Sequence, residues 1–251
     1  MRAKDVDRLD AGRRSAVPDQ SASASGAAGA GEDWQAHVAR ADARYLDGES
    51  RLPDAADADA RQRQLTRLAN ASAGAGLALL MAGRPKEATA RLIRAAERYR
   101  ESFAGAPPGS WGRPIGAMKA RILAGDWDGA SGDARWALDA GAADSDSPIG
   151  RYAAALASLV LGEDEDARIH ADAIRTRGDF PREVGDALAF IAAHDVLGYA
   201  DAVQAVLESF EKRDAYLEDI PVADTVLVLQ LLAGSRGIAA ELSSRLLPAS
   251  D

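Results

Sequence analysis

Apolar positions along the chain recur at spacings of three and four, the repeat of one face of an α-helix. Trp34, Val38, Ala41 and Tyr45 form one such stripe, ending near Gly48. Ala88, Leu92, Ala95, Tyr99 and Phe103 form another, with Arg91, Arg94 and Arg98 on a different face. The segment from Pro221 to Ala233 is apolar around most of its circumference, which predicts a helix covered on two sides or presented to a partner. Period-2 alternation and β-branched clusters are absent, while Ala, Leu, Arg, Asp and Glu dominate. The pattern predicts an all-α chain. Residues 15–32 hold almost only Ser, Ala and Gly and offer little to bury, so residues 1–32 are predicted to be a disordered tail and 33–251 a single helical-repeat domain.

Five segments share a Gly, a few polar residues and usually a small residue five positions on: Gly83 to Ala88, Gly125 to Ala130, Gly162 to Ala167, Gly198 to Val203 and Gly234 to Ala239. A Gly just past a helix end accepts the left-handed conformation, and polar residues or Pro restart the next helix. Each unit therefore reads as a helical hairpin, with Pro114, Pro148, Pro181 and Pro221 near the starts of the next four first helices. The stripe at residues 34–45 reads as an N-terminal cap over the open end of the stack.

The turn Gly125-Asp-Trp-Asp-Gly-Ala130 resembles the one that joins helix A to helix B in tetratricopeptide (TPR) repeats, and Ala95, Ala137, Ile174, Phe210 and Leu246 recur twelve positions after each Gly. The resemblance covers residues 65–247 and implies a TPR-like α-solenoid, a right-handed superhelix of about five to six hairpins. Seven residues before the Gly the chain is small only at Gly76 and Ala155, and bulky at Met118, Ile191 and Leu227, which predicts a looser, irregular superhelix. The segments Ser110 to Ile115 and Leu231 to Pro248 also resemble the immunity protein 49 family of polymorphic toxin systems. That second resemblance implies a helical protein that binds and neutralises a partner toxin.

Composition narrows the chemistry. With no Cys the chain has no disulfide, thiolate-ligated metal or cysteine nucleophile. The first ten residues lack an apolar leader core, and no apolar run approaches a membrane span, so a cytoplasmic protein without membrane contact is expected. Residues 1–125 carry 20 basic and 15 acidic side chains, and residues 126–251 carry 10 and 24, giving +5 and −14 of the total −9. The acidic half would repel nucleic acid and suits a basic protein or peptide, such as a basic toxin. Asp outnumbers Glu 27 to 12 and only 4 of the 30 basic residues are Lys, a bias that general solubility, a GC-rich genome or high-salt adaptation also explains.

The candidate partner-binding residues are Trp111, Arg113, Tyr152, Leu156, Leu188 and Val228. Trp111 and Arg113 sit in the loop Gly105 to Arg113, where Trp and Arg concentrate binding energy, or else Trp111 folds back to close the gap between hairpins. Tyr152, Leu156, Leu188 and Val228, with Leu159 and Leu231, fall where TPR proteins line their inner face. They imply either a hydrophobic groove for a peptide or helix, or a compact fold or homodimer that hides them. Gly109, Gly112 and Gly116 follow no strand and precede no Lys-Ser/Thr, which argues against a phosphate loop. The acidic run Glu163 to Asp166 suits a helix start and lacks calcium-loop spacing. No metal site, cofactor or catalytic residue is expected. The leading expectation is a non-enzymatic protein-binding scaffold. The alternatives are an enzyme or small-molecule-binding regulator in which Arg113, Tyr152, His194 and Asp195 converge on one pocket, and a homodimeric structural protein joined through the apolar first helices.

Overall fold

The computed structural model describes residues 33–249, which form ten α-helices and three short 3-10 turns with no strand among them. The expected disordered tail over 1–32 lies outside the described residues. In chain order the helices are α1 (Trp34–Ser50), α2 (Ala58–Met81), α3 (Pro85–Phe103), α4 (Gly112–Leu123), α5 (Trp127–Asp139), α6 (Pro148–Leu161), α7 (Asp164–Arg175), α8 (Arg182–Ala192), α9 (Val196–Glu211) and α10 (Asp224–Gly234). Among these residues no helix is long and apolar enough to cross a membrane.

Side-chain oxygens start several helices. Asp33, Asp57, Asp126, Ser147 and Asp195 each accept from a backbone N–H three residues on, satisfying a donor the first turn leaves open. The helices end in a repeated device. Gly83, Gly125 and Gly162 are left-handed, with φ of 70°, 71° and 77°, and the residue after each donates its N–H back to a carbonyl five positions earlier. Three of the five expected hinge glycines thus join α2 to α3, α4 to α5 and α6 to α7.

The other two do not. Gly198 lies in the first turn of α9, and the turn before that helix is made by His194 (φ 54°), whose neighbour Asp195 donates to Phe190 O. Gly198 is small for another reason: a Cβ there would meet Phe190 Cδ1 at 2.6 Å. The last left-handed position is Gly237 (φ 72°), three residues beyond Gly234, and no helix follows. Residues 238–249 instead run back along α10. Gln230 clamps them from both sides, accepting from Ala240 N (3.0 Å) and donating to Ala240 O (2.5 Å), while Ala223 N donates to Leu246 O (3.0 Å). Ile238 and Leu246 plug into the core, so the apolar recurrence at Leu246 marks an anchor of irregular chain rather than a second helix.

Each helix from α1 to α10 packs on the next, and α4, α6, α8 and α10 also touch in that order. Then α10 returns to α4. Lys119 Nζ on α4 lies 2.5 Å from Asp224 Oδ2 and 3.0 Å from Thr225 Oγ1 at the start of α10. The α9–α10 connection reaches further, placing Ile220 and Val222 in the cluster shared by α1–α4, and Arg44 on α1 donates to Glu218 Oε2 at 2.9 Å. Ile220 seats over Gly74, where a Cβ would come within 2.8 Å of its Cδ1. The end of the described chain thereby packs back against α2 and α4.

Candidate functional site

The mutual contacts of α4, α6, α8 and α10 decide where the candidate residues fall. Leu156, Leu188 and Val228 are wholly buried, and Tyr152 is buried with its ring 5.5 Å from Phe180. They are core residues and offer no groove to a partner, because α4, α6, α8 and α10 pack against one another. Leu159 is buried too, and only Leu231 remains exposed. Trp111 folds back: it is buried beside Phe103, with ring centroids 6.4 Å apart, and its indole Nε1 lies close to Gly150 at the start of α6. The loop insertion thus closes a gap between hairpins.

Arg113, in the first turn of α4, donates to Gln62 Oε1 on α2, and its Nε is buried without a partner among the described residues. Burial lowers the pKa of this guanidinium. The four groups of the enzyme alternative do not converge: Arg113 serves Gln62, Tyr152 packs on Phe180, His194 bonds Asp164 and Asp195 caps α9. Among the described residues no group of three or more His, Asp or Glu is placed to hold a metal ion.

A different surface emerges from the hinges. At this hinge edge the starts of α5 and α7 meet at one hollow, lined by Trp127 and Asp164, and His194 just before α9 bonds Asp164; each start carries carboxylates: Asp126 and Asp128, Glu163 to Asp166, and Asp195. Acidic side chains suit helix N-termini because they face the positive end of the macrodipole. At the centre of this edge Asp164 accepts from His194 Nε2 (2.9 Å) and Arg236 Nε (3.1 Å). Arg236, itself nearly buried, also donates to Leu159 O at 2.9 Å, so the C-terminal segment is tied to the end of α6. Burial tends to raise the pKa of Asp164, but the hydrogen bonds from Arg236 and His194 prevail and hold it below the ordinary aspartate range.

Apolar side chains stand exposed among these charges. Trp127 is 38% exposed, Val196 53% and Leu197 80%. Trp127, Leu161, Asp164 and Arg236 line a shallow hollow of about 350 Å³. Around it Asp128, Glu163, Glu165, Asp166 and Asp195 are exposed, while two cations at this edge are engaged by carboxylates, Arg236 by Asp164 and Arg121 by Asp126 and Asp133. The sequence reading did not single out Trp127, Val196 or Leu197 as binding residues. The available signal was their position: an apolar residue directly after an acidic helix start lies where the first turn faces solvent, off the buried stripe.

No protein-family model, no curated protein and no solved structure matches this chain.

Proposed function

We propose that this chain is a non-catalytic, TPR-like stack of helical hairpins that binds a basic protein through its hinge edge. The observation that carries the reading is the exposure of Trp127, Val196 and Leu197 within a field of carboxylates. A tryptophan surrounded by polar groups supplies a desolvated anchor, and a one-signed rim steers an oppositely charged partner. The superhelix of the TPR-like reading belongs to the same proposal. It is supported by one turn recurring at Gly83, Gly125, Gly162 and His194, each followed by a helix that packs on the one before. Toxin neutralisation in the cytoplasm, the role implied by the resemblance to immunity protein 49, requires a surface of this kind.

The test is comparative capture from native lysate at the source organism's own salt, since charge-steered complexes weaken as ionic strength rises. Three baits are used: the natural chain, Trp127→Ala with Leu197→Asp, and Leu46→Asp as a control on α1, where Leu46 is 65% exposed. The expected result is a basic protein retained by the natural chain and the control but lost by the hinge-edge variant, with melting temperatures unchanged. Equal retention by all three baits, or recovery of no basic protein, overturns the proposal.

A further inference from the structure

A second site, a half-open hollow, is lined by other residues than the hinge edge and is independent of it. Between α2, α3, α4 and the α9–α10 connection is a cavity of about 180 Å³. Leu77, Leu92, Ile115 and Leu123 form apolar walls, and Leu217 of the connection, 45% exposed, lines its rim. Glycines on α4 leave the room: Gly116 lets the Tyr99 ring lie 2.7 Å from where a Cβ would stand, and at Gly112 a Cβ would meet nothing within 4 Å.

Polar groups converge at one end. Lys119 lines the cavity with two of its three N–H donors used, one by Asp224 and one by Thr225. The Tyr99 hydroxyl donates to Asn70 Oδ1 at 2.7 Å, so its oxygen remains able to accept. We infer that this cavity binds a small, neutral, one- or two-ring aromatic molecule bearing a single hydroxyl or carbonyl group. Size sets the scaffold, because an apolar cavity of roughly 150 Å³ takes up benzene. The polar end sets the substituent: a guest oxygen accepts from Lys119, and a guest hydroxyl donates to Tyr99. Charge sets neutrality, since Lys119 and Asp224 already balance and an added carboxylate would compete with Asp224 for the ammonium.

Glu218 and Asp219 are consecutive non-glycine residues with φ of 56° and 58°, a conformation that costs free energy and is retained here by the Arg44–Glu218 pair and by Ile220 over Gly74. This strap carries Leu217 at the edge of the hollow.

The test titrates phenol, toluene and benzoate against the full chain by calorimetry and thermal unfolding. Phenol at about ten times its Kd is expected to raise the melting temperature by roughly 3 °C. Toluene should bind more weakly and benzoate should have no effect. Ala73→Leu, which fills the cavity from α2, should abolish the phenol shift. If that variant folds poorly, Gly112→Phe covers the mouth from a position with free space around it. Absence of a phenol shift in the natural chain, an equal shift in a folded filling variant, or a benzoate shift as large as that of phenol each overturns the inference.

Discussion

Lys119 and Asp224, in sequence-distant helices, meet at 2.5 Å and turn the row of inner helices back on itself. Both side chains are largely buried, so each charge depends on the other. Burial alone would lower the pKa of Lys119, but the Asp224 carboxylate and its hydrogen bond raise it overall. Replacing Lys119 by Met leaves a carboxylate in an apolar setting and is expected to cost about 2 kcal/mol in urea unfolding. Adding Asp224→Leu should recover most of that loss, and a double-mutant cycle measures the coupling directly. Additive single effects would mean that α4 and α10 are held together by packing alone.

The hinges give a second prediction. Gly162 is left-handed and a Cβ there meets nothing, so Gly162→Ala should cost about 1 kcal/mol through backbone strain alone. His194 already adopts that conformation with a side chain, and its Nε2 bonds Asp164. His194→Gly exchanges that exposed hydrogen bond for relief of strain and should change stability by less than about 0.5 kcal/mol. Denaturation midpoints in the reverse order would place the strain elsewhere.

These hinges mark what was legible in the chain. The stripes Val38, Ala41, Tyr45 and Ala88, Leu92, Ala95, Tyr99 are buried as their spacing requires, because a helical repeat leaves one face inward whatever the tertiary contacts. Gly83, Gly125 and Gly162 announced their turns because Gly takes positive φ without steric cost. His194 carries no such mark, so the neighbouring Gly198 stood in for it in the sequence pattern. The final segment was illegible for a related reason: Leu246 fits a helical recurrence equally well when it anchors a turn of irregular chain. Leu156, Leu188 and Val228 show the limit for the site, since an all-apolar face reads the same whether it lines a groove or a core. Only the return of α10 to α4 separates the two.

The strap between α9 and α10 gives the third prediction. Arg44 holds Glu218 by two hydrogen bonds, to Oε2 at 2.9 Å and to the backbone carbonyl at 3.2 Å, across a part of the chain containing two left-handed residues. Lys212 and Arg213, at the start of this strap, are exposed and open to trypsin. Arg44→Ala removes the clasp and should speed cleavage after these residues several-fold while changing global stability by only about 1 kcal/mol, as expected for local opening. Cleavage at an unchanged rate would show that Ile220 over Gly74 is sufficient to hold the strap.

Stability should fall with acid in two separable pH ranges. His170 is buried and lies 3.4 Å from Arg151 Nη1. Burial, and then that arginine, lower its pKa below the ordinary histidine value near 6.5. The unfolded chain therefore takes up this proton first. The stability held by neutral His170 is complete above about pH 6.5 and falls as pH drops from there toward the folded pKa. Asp164 and Asp126 follow at lower pH. Burial would raise both, but the bonds from Arg236 and His194 to Asp164, and from Gly129 N and Arg121 to Asp126, bring both below the usual aspartate range. Their contribution is present above the unfolded value of about 3.9 and is lost as pH falls through the folded values. Urea unfolding from pH 7 to pH 3 should show both declines. His170→Gln should flatten only the upper one, and Asp164→Asn with Asp126→Asn only the lower. If His170→Gln leaves the upper decline intact, another group controls it and the burial of His170 is relieved without cost.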